Sequence, residues 1–403
     1  MKYLVILGDG MADKPVPQLG GKTPLQAANK PSMDFLAANG EMGLVKTVPD
    51  GMYAGSDVAN LSVLGYNPKE YYTGRSPIEA ESMGISLTET DVAIRCNLVT
   101  LSDEAEYSEK TMVDYAAGEI STDEARVLLE AIQKEAANLP GGGEISFHTG
   151  LSYRHCTLWQ NGKIDLHLTG PHNIADKIVG EYLPENELLL ELMQKSYDIF
   201  KDHPINKQRI EKGLRPANSI WFWGEGTKLS IPSFKEKFGL EGAVISAVDL
   251  PKGLGICAGL RVVNVPGFTD EVDTNYEGVV KAAVDAFKTG DFVYLHVQAP
   301  DECGHRGEAE NKTRSIEMID QKVLAPMLKE LEQFGEFKIM LLPDHFTPIE
   351  TRNHTGDAVP FVIYERSAKG NAAANATATY DEAQSAKTGL IIEDGYTLMS
   401  RFL

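Results

Sequence analysis

The stretch YLVILGDG, residues 3–10, decides the fold. A continuous apolar run that ends in glycine and aspartate is typical of a buried strand in an α/β sheet. Three later stretches have the same form, namely FVYLHVQAPDE at 292–302, KIMLLPDH at 338–345 and VPFVIYE at 359–365. Helical patterns that end in glycine lie at 275–290 and 311–335. The sequence therefore predicts an α/β fold with a mostly parallel sheet flanked by helices.

The middle of the chain has a different pattern. It contains shorter alternating runs that predict strands of a second sheet, namely DVAIRCNLV at 91–99, EISFHTGLSYRHCTLWQ at 144–160 and KIDLHL at 163–168. Helical patterns interrupt these runs at 121–139 and 185–203, and the first begins with a Ser-Thr-Asp start signal. We therefore expect an inserted α+β cap domain at 88–237, and a catalytic domain formed by 1–87 and 238–403.

Composition narrows the range of partners. The chain has 403 residues, with 38 Lys and Arg against 58 Asp and Glu, and its net charge is -20. Such a charge repels nucleic acid and anionic membranes, so neither is an expected partner. The four cysteines show no CxxC spacing, and no apolar run reaches the length of a signal core or a membrane span. These features predict a cytoplasmic protein.

Residues of the kind that bind metals follow three of the predicted strands. Carboxyl ends of parallel strands meet at one edge of a sheet, so we expect these side chains to lie together. Carboxylates and imidazoles bind divalent cations, and the spacing of Asp301 and His305 suits one helical turn. The first predicted ligand set is Asp301, His305 and His354. The second is Asp9, Asp344, His345 and the hydroxyl of Ser56.

Each of these residues alone has a simpler structural explanation. An aspartate after a strand is commonly a helix cap or a turn residue, and Ser56 between Gly55 and Asp57 fits a helix N-cap. Their combination favours a catalytic metal site over caps and turns, because seven residues of the ligand type lie on the two sides of the inserted domain. Two cations can neutralise a transferring phosphoryl group, and a serine among them becomes a nucleophile. The sequence therefore predicts a two-metal phosphoryl-transfer site with Ser56 as its nucleophile.

Several motifs together carry a resemblance to a known family. They are GDGMAD at 8–13, AGSDVANLSVLGY at 54–66, YYTGRSPIEA at 71–80, RCNLVT at 95–100, and DECGH with the later PDH and His354. In this order they resemble cofactor-independent phosphoglycerate mutases of the archaeal type, in the alkaline phosphatase superfamily. The resemblance implies an alkaline-phosphatase-like core that interconverts 3-phosphoglycerate and 2-phosphoglycerate through a phosphoserine at Ser56. It also implies two divalent ions and no bisphosphoglycerate.

The metal and the substrate contacts follow from the same resemblance and from side-chain chemistry. Mixed carboxylate and imidazole ligands favour manganese or zinc, and the family also admits magnesium or cobalt. A small phosphorylated or hydroxylated acid needs cationic partners, and arginine suits carboxylates and phosphates. The expected substrate contacts are Arg75, Arg95, Arg154, His172 and Lys252. His155 is the expected acid or base for the acceptor hydroxyl.

One departure from the family leaves the acceptor open. Trp223 in ANSIWFWGEGTK stands where archaeal-type mutases have an arginine. Without that charge, a tryptophan face and Glu225 would tolerate an ammonium, as in a bacterial branch proposed to phosphorylate homoserine. A homoserine kinase-type phosphotransferase and a metal-dependent phosphatase therefore stand beside the mutase as alternatives. The sequence leaves the oligomeric state open as well.

Overall fold

The structure is a computed structural model that describes residues 1–367 and 378–403. Its strands, in chain order from β1 to β13, are Lys2–Gly8, Glu41–Val45, Val92–Leu101, Met112–Asp114, Ile145–His148, Arg154–Trp159, Ser219–Thr227, Gly242–Ile245, Arg261–Val262, Phe292–Val297, Phe337–Leu342, Val359–Arg366 and Ile391–Ile392.

The α-helices are numbered in the same way. From α1 to α16 they are Pro24–Ala27, Pro31–Asn39, Ser56–Val63, Pro68–Tyr71, Ser76–Ser82, Thr122–Ala136, Glu187–Phe200, Pro204–Glu211, Phe234–Phe238, Asp249–Cys257, Tyr276–Phe287, Ala299–Arg306, Ala309–Met318, Ala325–Glu330, Glu382–Lys387 and Leu398–Phe402. In the described residues, no helix is both long enough and apolar enough to span a membrane.

The larger of two compact units comprises 1–72 and 230–403. Its sheet has the order β13-β2-β12-β11-β1-β10-β8-β9. The central strand β1 is parallel to both β10 and β11, while β12 is antiparallel to β11 and β2. Leu4 to Leu7 are fully buried, because a central strand is covered on both faces. The predicted α/β class with a mostly parallel sheet is confirmed.

The register of the central strands decides where polar residues meet. Gly8 pairs with Val297 on β10, and Leu7 pairs with Leu342 on β11. All three strands run in the same direction, so the residues after them emerge at one edge of the sheet. Asp9, α12 and the segment after β11 therefore converge, and we call this region the carboxyl edge.

The smaller unit comprises 73–229 and contains an antiparallel sheet. Its central strand β3 pairs with β4, β6 and β7, and all ten of its residues are buried. One face packs against α6 and α7 through a large apolar cluster, and the other face packs Ala93 and Cys156 against Ala80 of α5. Helix α6 begins at the predicted signal, where Ser121 and Glu124 form a capping box.

The unit boundaries fall elsewhere than the sequence predicts, at 72/73 and 229/230 rather than 87/88 and 237/238. Helix α5 belongs to the smaller unit because Ala80 packs on its sheet. Residues 230–237 belong to the larger unit, since Phe234 is fully buried there and stacks on Phe292 with 4.3 Å between ring centroids.

Two predicted elements differ in the structure. Residues 163–168 form no strand, because Asp165 and His167 have φ values of 74° and 51°, which a strand does not allow. The helix predicted at 311–335 is interrupted by a π-helical turn, Ile319–Leu324. Pro326 follows this turn and has no N–H to donate within the helix. Asp320 in the turn instead accepts the N–H groups of Ser32 and Met33 at the start of α2.

Candidate metal centre

The predicted nucleophile Ser56 is the first residue of α3, after the N-cap residue Gly55. Its hydroxyl is not used as a helix cap; Oγ lies 3.0 Å from Nε2 of His345. Ser56 is only 8% exposed, and every residue of α3 is buried. The amino end of a helix carries partial positive charge, which favours an anionic oxygen at this position. The fold thus places the serine at the carboxyl edge with its oxygen oriented toward other site residues.

The first predicted ligand set is brought together as expected. The Oδ2 atom of Asp301 lies 3.2 Å from Nε2 of His305, and its Oδ1 lies 3.3 Å from Nε2 of His354. Helix α12 supplies Asp301 and His305 one turn apart, and the segment after β11 supplies His354. One ligand atom from each residue lies within 4.8 Å of the others. These three side chains have the separation that a shared cation requires.

The protonation of the two histidines in this set tests whether a cation fits. Nδ1 of His305 lies 2.9 Å from the carbonyl of Arg352, and Nδ1 of His354 lies 3.0 Å from the carbonyl of Ala54. A carbonyl only accepts, so both Nδ1 atoms carry protons, and the two Nε2 atoms lie 2.9 Å apart, where two rings without a second proton would direct lone pairs at each other. Two facing lone pairs repel unless a positive species lies beside them. The residues present therefore fit a metal ion.

A proton would compete with metal at the same atoms. The hydrogen bond to Asp301 raises the pKa of His305 to about 9, against the opposing effect of burial. Burial raises the pKa of Asp301, but hydrogen bonds from His305 and His354 hold it well below its usual range. Both pKa shifts show that a positive charge, carried by a proton or by a metal ion, is favoured among these three residues.

The second predicted set is also brought together. Nε2 of His345 lies 3.5 Å from Oδ1 of Asp9 and 3.4 Å from Oδ2 of Asp344. Asp344 is oriented by the N–H of Gly10 at 3.1 Å and the amide of Asn60 at 2.8 Å. By contrast, Oδ1 of Asp9 is buried and has no hydrogen-bond partner among the described residues. A buried oxygen without a donor is costly, so this atom fits a cation ligand.

The charge balance of the second set leads to the same conclusion. Asp9 and Asp344 are at most 1% exposed. Burial, followed by the charges of Asp344 and Asp301, raises the pKa of Asp9 well above its usual value. Burial also lowers the pKa of His345, so this ring does not supply compensating charge. Divalent cations would neutralise this excess of negative charge.

His296 is a site residue that was not predicted from the sequence. Its Nε2 lies 2.8 Å from Oδ2 of Asp9, its Nδ1 lies 3.1 Å from the hydroxyl of Ser246, and it is fully buried. It forms a possible ligand group with Asp9 and Asp344. Burial lowers its pKa to about 4, so the ring is neutral. Such a neighbour orients a ligating carboxylate.

The sequence did contain a signal for His296. On β10 the residues Val293, Leu295 and Val297 belong to the apolar core, whereas Tyr294 and His296 alternate with them and Gln298 directly follows the strand. Successive strand residues face opposite sides, so the side chains of Tyr294 and His296 share one face. Tyr294 donates to Asn60 at 2.7 Å, and Gln298 donates to Asp301 at 2.9 Å. Polar residues at every second position of an otherwise apolar strand thus indicated the neighbours of the ligands.

In the smaller unit, two of the predicted arginines pair with one carboxylate. Nε of Arg75 lies 2.7 Å from Glu79, and Nε of Arg95 lies 3.2 Å from the other oxygen of Glu79. Burial raises the pKa of Glu79, but Arg95 and Arg75 hold it below its usual value, with a further contribution from Arg154. Burial lowers the pKa of Arg95 to about 10, which leaves it charged at neutral pH. We call Arg75, Arg95, Arg154 and Glu79 the arginine cluster.

Trp223 and His172 lie beside the arginine cluster. The guanidinium of Arg95 lies 4.1 Å from the centre of the Trp223 ring, and the indole N–H donates to Asn97 at 2.9 Å. The ring of His172 meets Trp223 edge to face, with 5.1 Å between centroids. Burial, then Arg95 and Arg75, lowers the pKa of His172. Trp223 therefore stacks on an arginine already present in the smaller unit.

The structure does not bring His155 to the arginine cluster. Cys96 pairs with His155, and Arg95 pairs with Cys156, so His155 lies on the opposite face of the sheet from Arg95. It is 4% exposed, its Nδ1 accepts from the N–H of Gly150, and burial lowers its pKa to about 3. This position favours a structural role over the predicted acid or base.

Lys252 belongs to the larger unit, where it lies on α10. Its side chain is 18% exposed, with Nζ 3.4 Å from the carbonyl of Ala247 and 3.9 Å from Asp249. Asp249 is largely exposed and both contacts are long, so the ammonium group of Lys252 is held only weakly.

The fold and the carboxyl edge define a metal-dependent phosphotransferase in which a serine lies beside two sets of carboxylate and imidazole ligands. Comparison with known proteins makes the assignment specific. A family model described as 2,3-bisphosphoglycerate-independent phosphoglycerate mutase matches residues 37–206. A protein of Geobacter sulfurreducens named as a probable member is 50% identical over 100% of both chains. A Methanosarcina barkeri protein with the same family name is 48% identical over 96% of each chain.

Solved structures agree with these relatives. The cofactor-independent phosphoglycerate mutase from Thermoplasma acidophilum has a TM-score of 0.66 and 29% identity, over 100% of this chain and 99% of that one. The PH0037 protein from Pyrococcus horikoshii has a TM-score of 0.80 and 29% identity, over 100% and 96%. The chain belongs to the family of 2,3-bisphosphoglycerate-independent phosphoglycerate mutases, which are isomerases. The predicted family is therefore confirmed.

Proposed function

We propose that this chain interconverts 3-phosphoglycerate and 2-phosphoglycerate through a phosphoserine at Ser56. The carrying observation is the position of the Ser56 oxygen, 3.0 Å from His345 at an edge where two metal-ligand sets converge. Family membership supports the choice of reaction, because both relatives and the Thermoplasma structure bear the mutase name.

Two cations have separate sets of residues to hold them. Asp301, His305 and His354 would hold one. Asp9, Asp344 and His345, with Ser56, would hold the other, and Asp301 also lies close to Asp9 and His345. When bound, the cations would neutralise phosphoryl oxygens and favour loss of the serine proton. The ligand types favour manganese or zinc over magnesium or cobalt. Bisphosphoglycerate has no role in this scheme.

The chemical steps on the chain are two phosphoryl transfers. In the first, Ser56 Oγ forms a bond to phosphorus, the bond from phosphorus to the substrate oxygen breaks, and that oxygen regains a proton. In the second, the other glycerate hydroxyl attacks the phosphoserine, loses its proton and releases Ser56. The buried start of α3 holds the oxygen in place through both steps. Lys252, in the same unit, is proposed as a contact for the phosphoryl group.

The arginine cluster is proposed to recognise the anionic acid. Arg75 and Arg95 pair with Glu79, and Arg154 adds its charge, so the cluster carries an excess of positive charge. Arginine binds carboxylates through paired hydrogen bonds, which suits glycerate. We assign Arg75, Arg95, Arg154 and His172 to this role. A cytoplasmic location, where cysteines stay reduced, fits the four free cysteines.

The alternatives have less support. An ammonium substrate would need an open tryptophan face or a carboxylate, but Trp223 stacks on Arg95. Arg95 therefore partly supplies the positive charge that Trp223 lacks. Family membership likewise favours the mutase over homoserine kinase-type transfer and over hydrolysis.

A coupled enolase assay with manganese tests the proposal. Ser56→Ala should abolish conversion of 3-phosphoglycerate while metal content stays near two per chain. Ser62→Ala is the matched control, because Ser62 lies on the same helix and its buried hydroxyl has no hydrogen-bond partner among the described residues. It should keep wild-type activity. Full activity in Ser56→Ala, or phosphorylation of homoserine without mutase turnover in the wild type, would overturn the proposal.

A further inference from the structure

Thr347 contacts one ligand from each proposed metal set. Its hydroxyl oxygen lies 2.5 Å from Oδ1 of Asp301 and 3.2 Å from Nδ1 of His345. Thr347 is fully buried, in the segment after β11. One hydroxyl group therefore connects the two ligand sets.

The direction of these hydrogen bonds follows from the inventory of donors. A hydroxyl has one proton, and an ionised carboxylate only accepts, so the proton of Thr347 points to Asp301. Toward His345 the hydroxyl oxygen can then only accept, which requires a proton on Nδ1 of the ring. A neutral imidazole carries one ring proton, so Nε2 keeps its lone pair. That lone pair faces Ser56 Oγ at 3.0 Å and Asp9 at 3.5 Å.

The backbone of Thr347 is fixed as firmly as its hydroxyl. Its carbonyl accepts from Nζ of Lys312 at 2.8 Å, and its N–H donates to the carbonyl of Ala12 at 3.3 Å. Lys312 is fully buried and also binds Asp13 at 2.7 Å and Ala12 at 3.2 Å. This ammonium group ties the segment after β1 to the segment after β11. The hydroxyl of Thr347 is thus attached to a rigid support.

Two glycines leave room for this threonine. A methyl group on Gly304 would lie 2.8 Å from Cγ2 of Thr347, and one on Gly10 would collide with its hydroxyl oxygen. Gly10 also has φ of +56°, which favours glycine. A larger residue at either position would therefore displace the side chain of Thr347.

We propose that Thr347 is a positioning residue for both metal sets, because it selects the His345 tautomer that leaves Nε2 free and orients Asp301. The inference rests on the proposed two-metal function. It concerns residues that touch ligands, not substrate. Residues that orient metal ligands typically contribute about 10–100-fold to metal affinity.

The tautomer can be measured directly on the metal-free protein. Nitrogen-15 histidine NMR, assigned with His345→Gln, should show His345 protonated at Nδ1 in the wild type and in Thr347→Ser. Thr347→Val should shift the ring toward protonation at Nε2, because the acceptor is lost. A wild-type His345 protonated at Nε2 would refute the proposal, even if Thr347→Val failed to fold.

Metal binding provides the second readout. Titration with Mn²⁺ should show Thr347→Val binding about 10–100-fold more weakly at both sites, with Thr347→Ser within a few-fold of the wild type. Thr351→Val is the control, since Thr351 is exposed in the same segment. Wild-type affinity in Thr347→Val, or equal weakening in Thr347→Ser, would overturn the inference. Neither readout uses phosphoglycerate, so a wild type that binds two Mn²⁺ but lacks turnover would refute the proposed function alone.

Discussion

The carboxyl edge of the larger unit and the arginine cluster of the smaller unit carry charge of opposite sign. At the carboxyl edge, Asp9, Asp301 and Asp344 are buried among histidines. In the arginine cluster, Arg75 and Arg95 pair with Glu79, and the charge of Arg154 adds to theirs. Each region has more charge of one sign than its own residues neutralise. The sign of the excess indicates the ligand, a cation for the first region and an anion for the second.

In both regions the pKa shifts disfavour the charged form of a residue. Burial and neighbouring carboxylates raise the pKa of Asp9, while burial, only partly offset by Glu79, lowers the pKa of Arg95 to about 10. In each case the charged form is penalised until a ligand of opposite charge arrives. If the two regions bind separate ligands, a substitution in one region should leave ligand binding in the other intact.

The largest effect should come from Asp301→Asn. The change removes the one carboxylate shared by His305 and His354, so one cation should be lost. A cation contributes several kcal/mol to the transition state, and kcat/KM should fall at least about a thousand-fold. Elemental analysis should find one metal per chain. Asp285→Asn, on the exposed face of α11, is the control. Two metals retained in Asp301→Asn would contradict this assignment of the carboxyl edge.

Arg95→Met should give the second largest effect and a different signature. Loss of a charge-assisted contact to the acid should raise KM roughly 10–100-fold. Metal content should stay near two per chain, because the arginine cluster supplies none of the proposed metal ligands. Steady-state kinetics with metal analysis would check both. Arg126→Met, at an exposed pair with Asp123 in the same unit, should change neither quantity.

The carboxyl edge was more predictable from the sequence than the arginine cluster. Asp9, Asp301 and Asp344 each follow an apolar strand, and parallel strands impose one edge on their ends, so local pattern sufficed. Glu79 was not predicted, because its partners Arg75 and Arg95 come from a helix start and a strand that meet only through tertiary packing.

Errors in the prediction have the same origin. His155 and Arg154 are adjacent in sequence, and only the strand register with β3 shows that Arg154, and not His155, shares a face with Arg95. The break at Pro326 was visible in the sequence, but the capping role of Asp320 depends on a distant helix start. The residue pattern of a single strand was sufficient to predict the carboxyl edge, whereas contacts between segments distant in sequence could not be predicted.

Glu382, in the larger unit, is a further carboxylate to compare with the carboxyl edge, because a proton and not a metal cation would neutralise it. It accepts from the N–H of Asp13 and the hydroxyl of Thr23, and burial raises its pKa to about 7. The unfolded pKa is lower, so the folded state binds the proton more tightly. Its contribution to stability is therefore full below about pH 4 and is lost as pH rises through about 7.

Glu382→Gln should remove this pH dependence. Between pH 5 and 8 the free energy of unfolding of the wild type should fall relative to the variant by roughly 1–2 kcal/mol, after allowance for partial exposure. Urea unfolding at both pH values measures the difference. The exposed Glu393→Gln should track the wild type, and a gap that stays constant with pH would contradict the assignment.

Substitution of Trp223 should give the smallest effect on KM, and it tests whether the tryptophan positions Arg95 within the arginine cluster. Its ring lies 4.1 Å from the guanidinium of Arg95, and its N–H donates to Asn97. A cation–π contact is worth about 1 kcal/mol, so Trp223→Leu should raise KM about five-fold by releasing Arg95. Trp223→Phe keeps an aromatic face and should lose less. The contrary outcome is that Trp223→Leu leaves KM for phosphoglycerate unchanged and weakens binding of an ammonium acid such as homoserine. In that case the tryptophan binds a cationic ligand, and the assignment of an anionic ligand to the arginine cluster is wrong.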